Sequence, residues 1–101
     1  PGVANMYGAV GGVANAIAPN KRMLSSMTPT LVLKNNQPYL VVGTPGGTTI
    51  PTSVLQTLIN IIDFDMSAAE AINAPKFHHQ WLPDVVYVEK NVAPSLIEHL
   101  Q

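Results

Sequence analysis

The chain has 101 residues, no cysteine and a formal net charge of −1. Without cysteine it forms neither a disulfide nor a cysteine-ligated metal site, and its near-neutral charge creates no long-range field that would attract nucleic acid or acidic lipid. It contains no run of about 18 apolar residues, so we predict no membrane span.

Charged residues are unusually sparse. They make up 11% of the chain, against about 25% in ordinary domains, and residues 1–20 and 35–62 contain none. A free-standing domain of this size normally exposes many charges. We therefore expect residues 1–101 to form one unit whose surface is covered by other polypeptide. The first residue, Pro1, and the lack of a visible signal peptide fit a piece of a longer protein.

The first half of the chain predicts an irregular segment followed by a hairpin. Residues 1–20 are rich in Gly, Ala and Asn without clear periodicity, which is typical of irregular structure. Two apolar segments, 30–34 and 39–43, flank a predicted turn at 35–38 and are expected to pair as strands. The second strand contains Leu-Val-Val at 40–42, a pattern that predicts burial on both faces.

The second half predicts two helices, then two short strands and a last helix. Pro51 suits a first helical position, and apolar residues recur on one helical face through residue 62. Ser67 and Glu70 have the spacing of a capping box, and Pro75 ends the short helix that follows. Further elements are a weak strand at 77–79, a strand at 85–89 and a helix at 94–100. The predicted fold class is therefore α+β.

A glycine turn joins the second predicted strand to the first predicted helix. Gly46 and Gly47 carry no side chain that would block access to their N–H groups. Consecutive N–H groups at a helix start create positive potential that can hold an anion, or the oxyanion that develops during acyl transfer. The alternative interpretation is a tight turn that requires two glycines.

A serine pair precedes the first strand. Ser25 and Ser26 lie in a predicted loop between apolar residues, where two adjacent hydroxyls could donate jointly to a carboxylate. Each neutral donor to a charged acceptor is worth about 1.5–3 kcal/mol. The alternative interpretation is a turn in which the serines bond to their own backbone.

Other chemical motifs are weak. Neighbouring side chains of an extended segment point to opposite faces, so we interpret His78 and His79 as packing and hydrogen-bonding residues and predict neither a metal nor a cofactor. The sequence contains no G-x-S-x-G motif, and no lysine of the P-loop type follows Gly47. We interpret Phe77 and Trp81 as members of a buried aromatic cluster, because no basic surface accompanies them.

Three segments in combination resemble the gamma-glutamyltransferase family, also called gamma-glutamyltranspeptidase. The similarity runs from residue 1 to about residue 100 and corresponds to the C-terminal part of the family's small subunit. The segments are Asn-Lys-Arg-Met-Leu-Ser-Ser-Met-Thr-Pro-Thr at 20–30, Gly-Thr-Pro-Gly-Gly at 43–47, and Asn-Ala-Pro-Lys-Phe-His-His-Gln-Trp-Leu-Pro-Asp at 73–84. The resemblance implies part of an N-terminal-nucleophile hydrolase fold, an αββα sandwich made as a self-cleaving precursor.

The resemblance also implies site residues and partners. Ser25 and Ser26 match the pair that binds the alpha-carboxylate of the gamma-glutamyl donor, and Gly46 and Gly47 match the pair that forms the oxyanion hole. In the family a threonine at the small-subunit N-terminus attacks a donor such as glutathione, and water, an amino acid or a peptide accepts the glutamyl group. That threonine has no counterpart here, so we expect the fragment alone to be inactive. Expected partners are the rest of the small subunit and the large subunit, in a periplasmic or secreted enzyme.

Three alternatives stay open at this point. An acylase with the same scaffold could cleave another amide, such as a glutaryl side chain or a poly-gamma-glutamate bond. A non-catalytic module could self-associate to cover its apolar faces. An anion-binding module is a third alternative, which the lack of a lysine beside Gly47 disfavours.

Overall fold

A computed structural model describes residues 1–99. The predicted α+β class and the order of its main elements are confirmed, and residue 100, the predicted end of the last helix, lies outside the described residues. The elements in chain order are a 3₁₀ turn at Val13–Asn15, strands β1 (Thr30–Lys34) and β2 (Gln37–Val42), a 3₁₀ turn at Gly47–Thr49, helices α1 (Ile50–Ile62) and α2 (Ala68–Asn73), strands β3 (Phe77–His78) and β4 (Tyr87–Val88), and helix α3 (Pro94–His99).

Strands β1 and β2 form the predicted antiparallel hairpin, but its turn is shorter than predicted. The loop consists of Asn35 and Asn36, whose φ angles of 53° and 59° are those of a type I′ turn. Pro38, which we took as part of the turn, lies inside β2 at an irregularity in the register. A proline is tolerated there because a bulge interrupts the ladder of hydrogen bonds.

One face of the hairpin is uncovered, so the prediction that β2 is buried on both faces was wrong for this chain. Leu31 and Val41 are paired across the two strands, and they are 60% and 80% exposed. Val32 and Leu40 on the opposite face are partly buried. The sheet has two strands and is packed from one side, so its second apolar face meets solvent.

Helix α1 is the centre of the packing and leads directly out of the glycine turn. Pro51 occupies its first turn, as predicted, and Ile50 and Val54 are buried. Helix α2 begins with the predicted capping box, in which the Ser67 N–H donates to Glu70 Oε2 at 2.8 Å and the Glu70 N–H donates to Ser67 Oγ at 3.3 Å. Helix α1 contacts both α2 and β3, which holds β3 close to the glycine turn.

The chain exposes much more surface than a self-contained domain of its size. Its accessible area is 8120 Å², whereas a folded monomer of this mass exposes roughly 5,500 Å². Its radius of gyration is 16.5 Å, against about 13 Å for a compact domain of this length. Both values agree with the low charge content, which led us to expect that other polypeptide covers this surface.

Among residues 1–99, no helix combines the length and apolar character needed to cross a bilayer.

Candidate functional site

The glycine turn adopts a backbone that requires glycine at two successive positions. Gly46 has φ 144° and Gly47 has φ 58°, values that L-residues with side chains rarely adopt. A β-carbon at position 46 would lie 2.5 Å from Thr49 Oγ1, and one at position 47 would lie 2.6 Å from Tyr7 Cε1. The Tyr7 ring therefore packs directly on Gly47.

Threonine hydroxyls on either side of the glycines orient two successive peptide groups. Thr44 Oγ1 donates to the Pro45 carbonyl at 2.9 Å. The Gly46 carbonyl accepts two hydrogen bonds from Thr49, one from Oγ1 at 2.9 Å and one from the backbone N–H at 3.1 Å. Because C=O and N–H point in opposite directions in a trans peptide, the N–H groups of Gly46 and Gly47 point away from these threonines.

These two N–H groups are free to bind a ligand. Within residues 1–99, neither the Gly46 nor the Gly47 N–H donates a hydrogen bond to a protein acceptor. Gly46 is exposed and Gly47 is partly buried. The turn thus presents two adjacent donors, and an oxygen atom that carries negative charge is the ligand that such a pair stabilises most strongly.

The predicted serine pair meets the glycine turn. Ser26 Oγ donates to the Gly47 carbonyl at 2.7 Å, although the two residues are 21 positions apart. Ser25 Oγ accepts a hydrogen bond from the Met27 N–H at 3.1 Å, and this bond does not use the hydroxyl hydrogen of Ser25. The two serines are therefore not equivalent: Ser26 holds the turn, whereas Ser25 retains a hydrogen to donate.

The two histidines point to different partners, which confirms their interpretation as packing and hydrogen-bonding residues. His78 is 7% exposed, with Nδ1 at 2.8 Å from Thr52 Oγ1 and Nε2 at 2.9 Å from Gln80 Oε1. His79 is exposed and pairs with Asp84 at 3.1 Å. No three His, Asp or Glu side chains within residues 1–99 converge in the manner of a metal site.

The predicted buried aromatic cluster was wrong for this chain. Phe77 is 48% exposed and Trp81 is 76% exposed. Trp81 lies in a turn with a φ of 72°, and no element of residues 1–99 covers its side chain.

Sequence reasoning identified the glycines and serines but missed the residues that support them. Thr44 and Thr49 flank the glycine pair, and Tyr7 comes from the segment that we predicted to be irregular. Hydroxyl residues on both sides of a Gly-Gly pair were an available signal for the threonines, since Ser and Thr side chains commonly bond to nearby backbone groups in turns. Nothing in the local sequence pointed to Tyr7.

A cavity of about 320 Å³ lies beside the turn. Its lining includes Tyr7, Gly46, Thr48, His78, Gln80 and Tyr87.

Comparison with known proteins identifies the family. A family model described as "Gamma-glutamyltranspeptidase" matches residues 1–101 of this chain. The chain belongs to the gamma-glutamyltranspeptidase family. It is 56% identical over 101 residues to the "Glutathione hydrolase proenzyme" of Escherichia coli strain K12, covering all of this chain and 17% of that protein. The printed name of that relative includes the word proenzyme, which agrees with the precursor that the resemblance led us to expect.

Solved structures of the family match the fold closely. The T380A mutant of the Helicobacter pylori gamma-glutamyltranspeptidase superposes with a TM-score of 0.95 at 55% identity, over 99% of this chain and 54% of that one. The Pseudomonas nitroreducens enzyme complexed with L-DON gives a TM-score of 0.90 at 46% identity, over 99% of this chain and 53% of that one. The fold is therefore part of the family's N-terminal-nucleophile hydrolase fold. The chain spans about a sixth of the E. coli relative.

Proposed function

We propose that this chain supplies the oxyanion hole and the donor-carboxylate site of an enzyme that transfers a gamma-glutamyl group. The donor is glutathione or a related gamma-glutamyl compound, and the acceptor is water, an amino acid or a peptide. The observation that carries this proposal is the 2.7 Å hydrogen bond from Ser26 Oγ to the Gly47 carbonyl. It joins the hydroxyl pair to the turn whose two N–H groups are free.

The glycine N–H groups have the role of stabilising the tetrahedral oxyanion. When a nucleophile attacks an amide carbonyl, negative charge develops on its oxygen. Two donors that are already oriented need no rearrangement at that moment, and removing one such donor typically lowers kcat by about 10²–10³. The hydrogen bonds of Thr44 and Thr49 to neighbouring carbonyls support this role, because they orient both peptide groups before a substrate arrives.

The serine pair forms the site for the acidic end of the donor, in which Ser25 donates to the carboxylate and Ser26 holds the pair against the glycine turn. In an extended gamma-glutamyl group the carboxylate carbon and the reacting carbonyl carbon are roughly 5 Å apart, four carbon–carbon bonds along the chain. A site that binds both ends must therefore hold its hydroxyls next to its oxyanion donors. The contact between Ser26 and Gly47 meets this requirement, and Ser25 has the hydroxyl hydrogen that a carboxylate would accept.

The nucleophile and its base are expected on polypeptide outside this chain. The resemblance assigns them to a threonine that leads the small subunit, and the free N-terminal amine acts as base. The uncovered face of the β1–β2 hairpin and the large accessible area support extensive contact with the rest of the small subunit and with the large subunit. Residues 1–101 alone should therefore lack activity.

Three chromogenic anilides test the proposal in the complete, matured protein. The first carries the whole gamma-glutamyl group, the second a glutaryl group without the alpha-amino group, and the third a 4-aminobutyryl group without the alpha-carboxylate. We expect the gamma-glutamyl anilide to be cleaved fastest, and we expect the third substrate to lose a large part of kcat/KM because it offers Ser25 no carboxylate.

Each competing function gives a different result in this assay. Faster turnover of the glutaryl anilide would indicate an acylase with another specificity. No turnover of any anilide by matured protein would refute the enzymatic proposal and favour a non-catalytic module.

A further inference from the structure

We infer that His78 is a positioning residue for the Gly46–Gly47 amide pair and acts through Thr52 on one side and Gln80 on the other. This inference rests on the proposed oxyanion role of the glycines. The residues involved are Thr49, Thr52, His78, Gln80 and Tyr7. Their contacts form a closed ring that begins and ends at the glycine turn.

The first arm of the ring runs through helix α1. His78 Nδ1 lies 2.8 Å from Thr52 Oγ1, and that hydroxyl lies 2.9 Å from the carbonyl of Thr49. Thr49 in turn holds the Gly46 carbonyl through both its side chain and its N–H. A displacement of His78 is therefore transmitted to the peptide group that contains the Gly47 N–H.

The second arm reaches the turn from the opposite side. His78 Nε2 lies 2.9 Å from Gln80 Oε1, and Gln80 Nε2 donates to the Tyr7 carbonyl at 3.1 Å across 73 positions of sequence. The ring of Tyr7 packs on Gly47, where an added β-carbon would meet it at 2.6 Å. Gln80 therefore fixes the residue that covers Gly47.

The hydrogen-bond partners determine the tautomer of His78. Gln80 Nε2 faces two carbonyls, those of Tyr7 and Leu82, which can only accept hydrogen bonds. The Gln80 oxygen must then face His78, so the neutral imidazole carries its hydrogen on Nε2. This leaves His78 Nδ1 as an acceptor, so the Thr52 hydroxyl shares its one hydrogen between Nδ1 at 2.8 Å and the Thr49 carbonyl at 2.9 Å.

His78 is the buried member of this ring of contacts. It is 7% exposed, and its imidazole stacks on Tyr87 with the centroids 6.3 Å apart. A buried polar group that loses its partner is costly, so His78 holds Thr52 and Gln80 in one arrangement. Misplacing reacting groups by about 1 Å can cost 10²-fold in rate, so a smaller displacement of the two amides is expected to reduce kcat measurably.

Two matched pairs of substitutions in the complete, matured protein test the inference. Thr52→Val removes the hydroxyl of the first arm, and Thr57→Val makes the same change in the same helix at a buried hydroxyl bonded to Ser53 O. Gln80→Met removes the second arm, and Gln56→Met is its control. Gln56 also ties α1 to β3, by three hydrogen bonds to backbone groups of Thr52 and Phe77, but it makes no hydrogen bond to His78 or Tyr7.

We expect Thr52→Val and Gln80→Met each to lower kcat by about 5- to 50-fold, less than the 10²–10³ of an outright lost donor. The KM for the gamma-glutamyl anilide should stay within about twofold, and Thr52→Ser should restore kcat because it keeps the hydroxyl. The double variant should lose less than the product of the two single effects, since both arms act through His78. Both controls should keep kcat and KM within about twofold.

Equal effects in an arm variant and its control would overturn the inference, because a merely structural role would affect both alike. Unchanged kcat in the arm variants would overturn it as well. Each pair is sufficient by itself, so failure of one variant to mature leaves the other pair as the test. Failure of the proposed function is seen separately, as absence of gamma-glutamyl turnover by the unsubstituted protein.

Discussion

Substituting Gly47 by alanine in the complete protein should reduce catalysis far more than it reduces stability. Gly47 has φ 58°, and an L-residue in this left-handed region costs about 1–2 kcal/mol. The new β-carbon would lie 2.6 Å and 2.7 Å from two atoms of the Tyr7 ring, which must swing away. Tyr7 is 49% exposed, so the ring has room to move.

The loss of activity follows from the orientation of one N–H group. The strain of a β-carbon at φ 58° is relieved by rotating the peptide group that contains the N–H of residue 47, and loss of one oxyanion donor costs about 10²–10³ in kcat. We therefore expect Gly47→Ala to lower kcat by about this factor, with a small change in KM because Ser25 still binds the carboxylate of the donor. Steady-state kinetics with the gamma-glutamyl anilide measure both constants.

Gly43→Ala is the matched control for this substitution. Gly43 directly follows strand β2, four positions before Gly47. Its φ is not in the left-handed region, and a β-carbon there would meet no atom of the chain within 4 Å. We expect kcat to stay within about threefold in this control. A matured Gly47→Ala protein that retained kcat within about threefold would refute the assignment of Gly47 as an oxyanion donor.

Other predictions address the serines, the cap of α2 and the isolated chain. Ser25→Ala should lower kcat/KM for the gamma-glutamyl anilide by roughly 10–150-fold, equivalent to about 1.5–3 kcal/mol, and should leave the 4-aminobutyryl anilide unaffected; equal losses on both substrates would contradict its role. Ser26→Ala should lower kcat on both substrates, because the Gly47 carbonyl loses its donor; a loss confined to the gamma-glutamyl substrate would contradict this. Hydrogen bonds from the Ser67 side chain and backbone hold the pKa of Glu70 below its ordinary value of 4.5, so their stabilisation is present above that pH and is lost as the pH falls through the lowered value. Glu70→Gln should therefore flatten the acid side of the thermal-midpoint profile, and an unchanged profile would exclude this contribution. Residues 1–101 alone should hydrolyse no glutathione, and turnover above background would contradict that expectation.

Much of the fold was predictable because the local signals agree with the tertiary structure. The Ser67–Glu70 capping box and Pro51 mark the starts of two helices where the sequence predicted them. The short apolar segment at 30–34 and the turn that follows it identified β1. The length of the hairpin turn was misjudged because Pro38 breaks most strands, whereas here it lies at a bulge.

Burial could not be predicted from local sequence. An apolar run such as 40–42 indicates that a surface is to be covered, but it does not say whether the covering polypeptide belongs to the same segment. Val41 and Trp81 are exposed within this chain for that reason. The low charge content of the sequence and the large accessible area of the structure have the same explanation: both are expected of a surface that other polypeptide covers.

The candidate site was half predictable. Gly46, Gly47, Ser25 and Ser26 were candidates from the sequence, and the resemblance to the family, rather than the pairs themselves, favoured site roles over ordinary turns. Their supporting contacts depend on tertiary structure: Tyr7 reaches Gly47 across 40 positions, and no local pattern encodes such a contact. The hydrogen bond that distinguishes Ser26 from Ser25 also became visible only in the structure.

The most direct test of the central claim is a crystal structure of the complete, matured enzyme with a tetrahedral gamma-glutamyl adduct on its nucleophile. We predict that the adduct's oxyanion lies about 2.7–3.1 Å from both Gly46 N and Gly47 N, with the alpha-carboxylate within hydrogen-bond distance of Ser25 Oγ. An adduct whose oxyanion lies beyond about 3.5 Å from both glycine nitrogens would contradict the account.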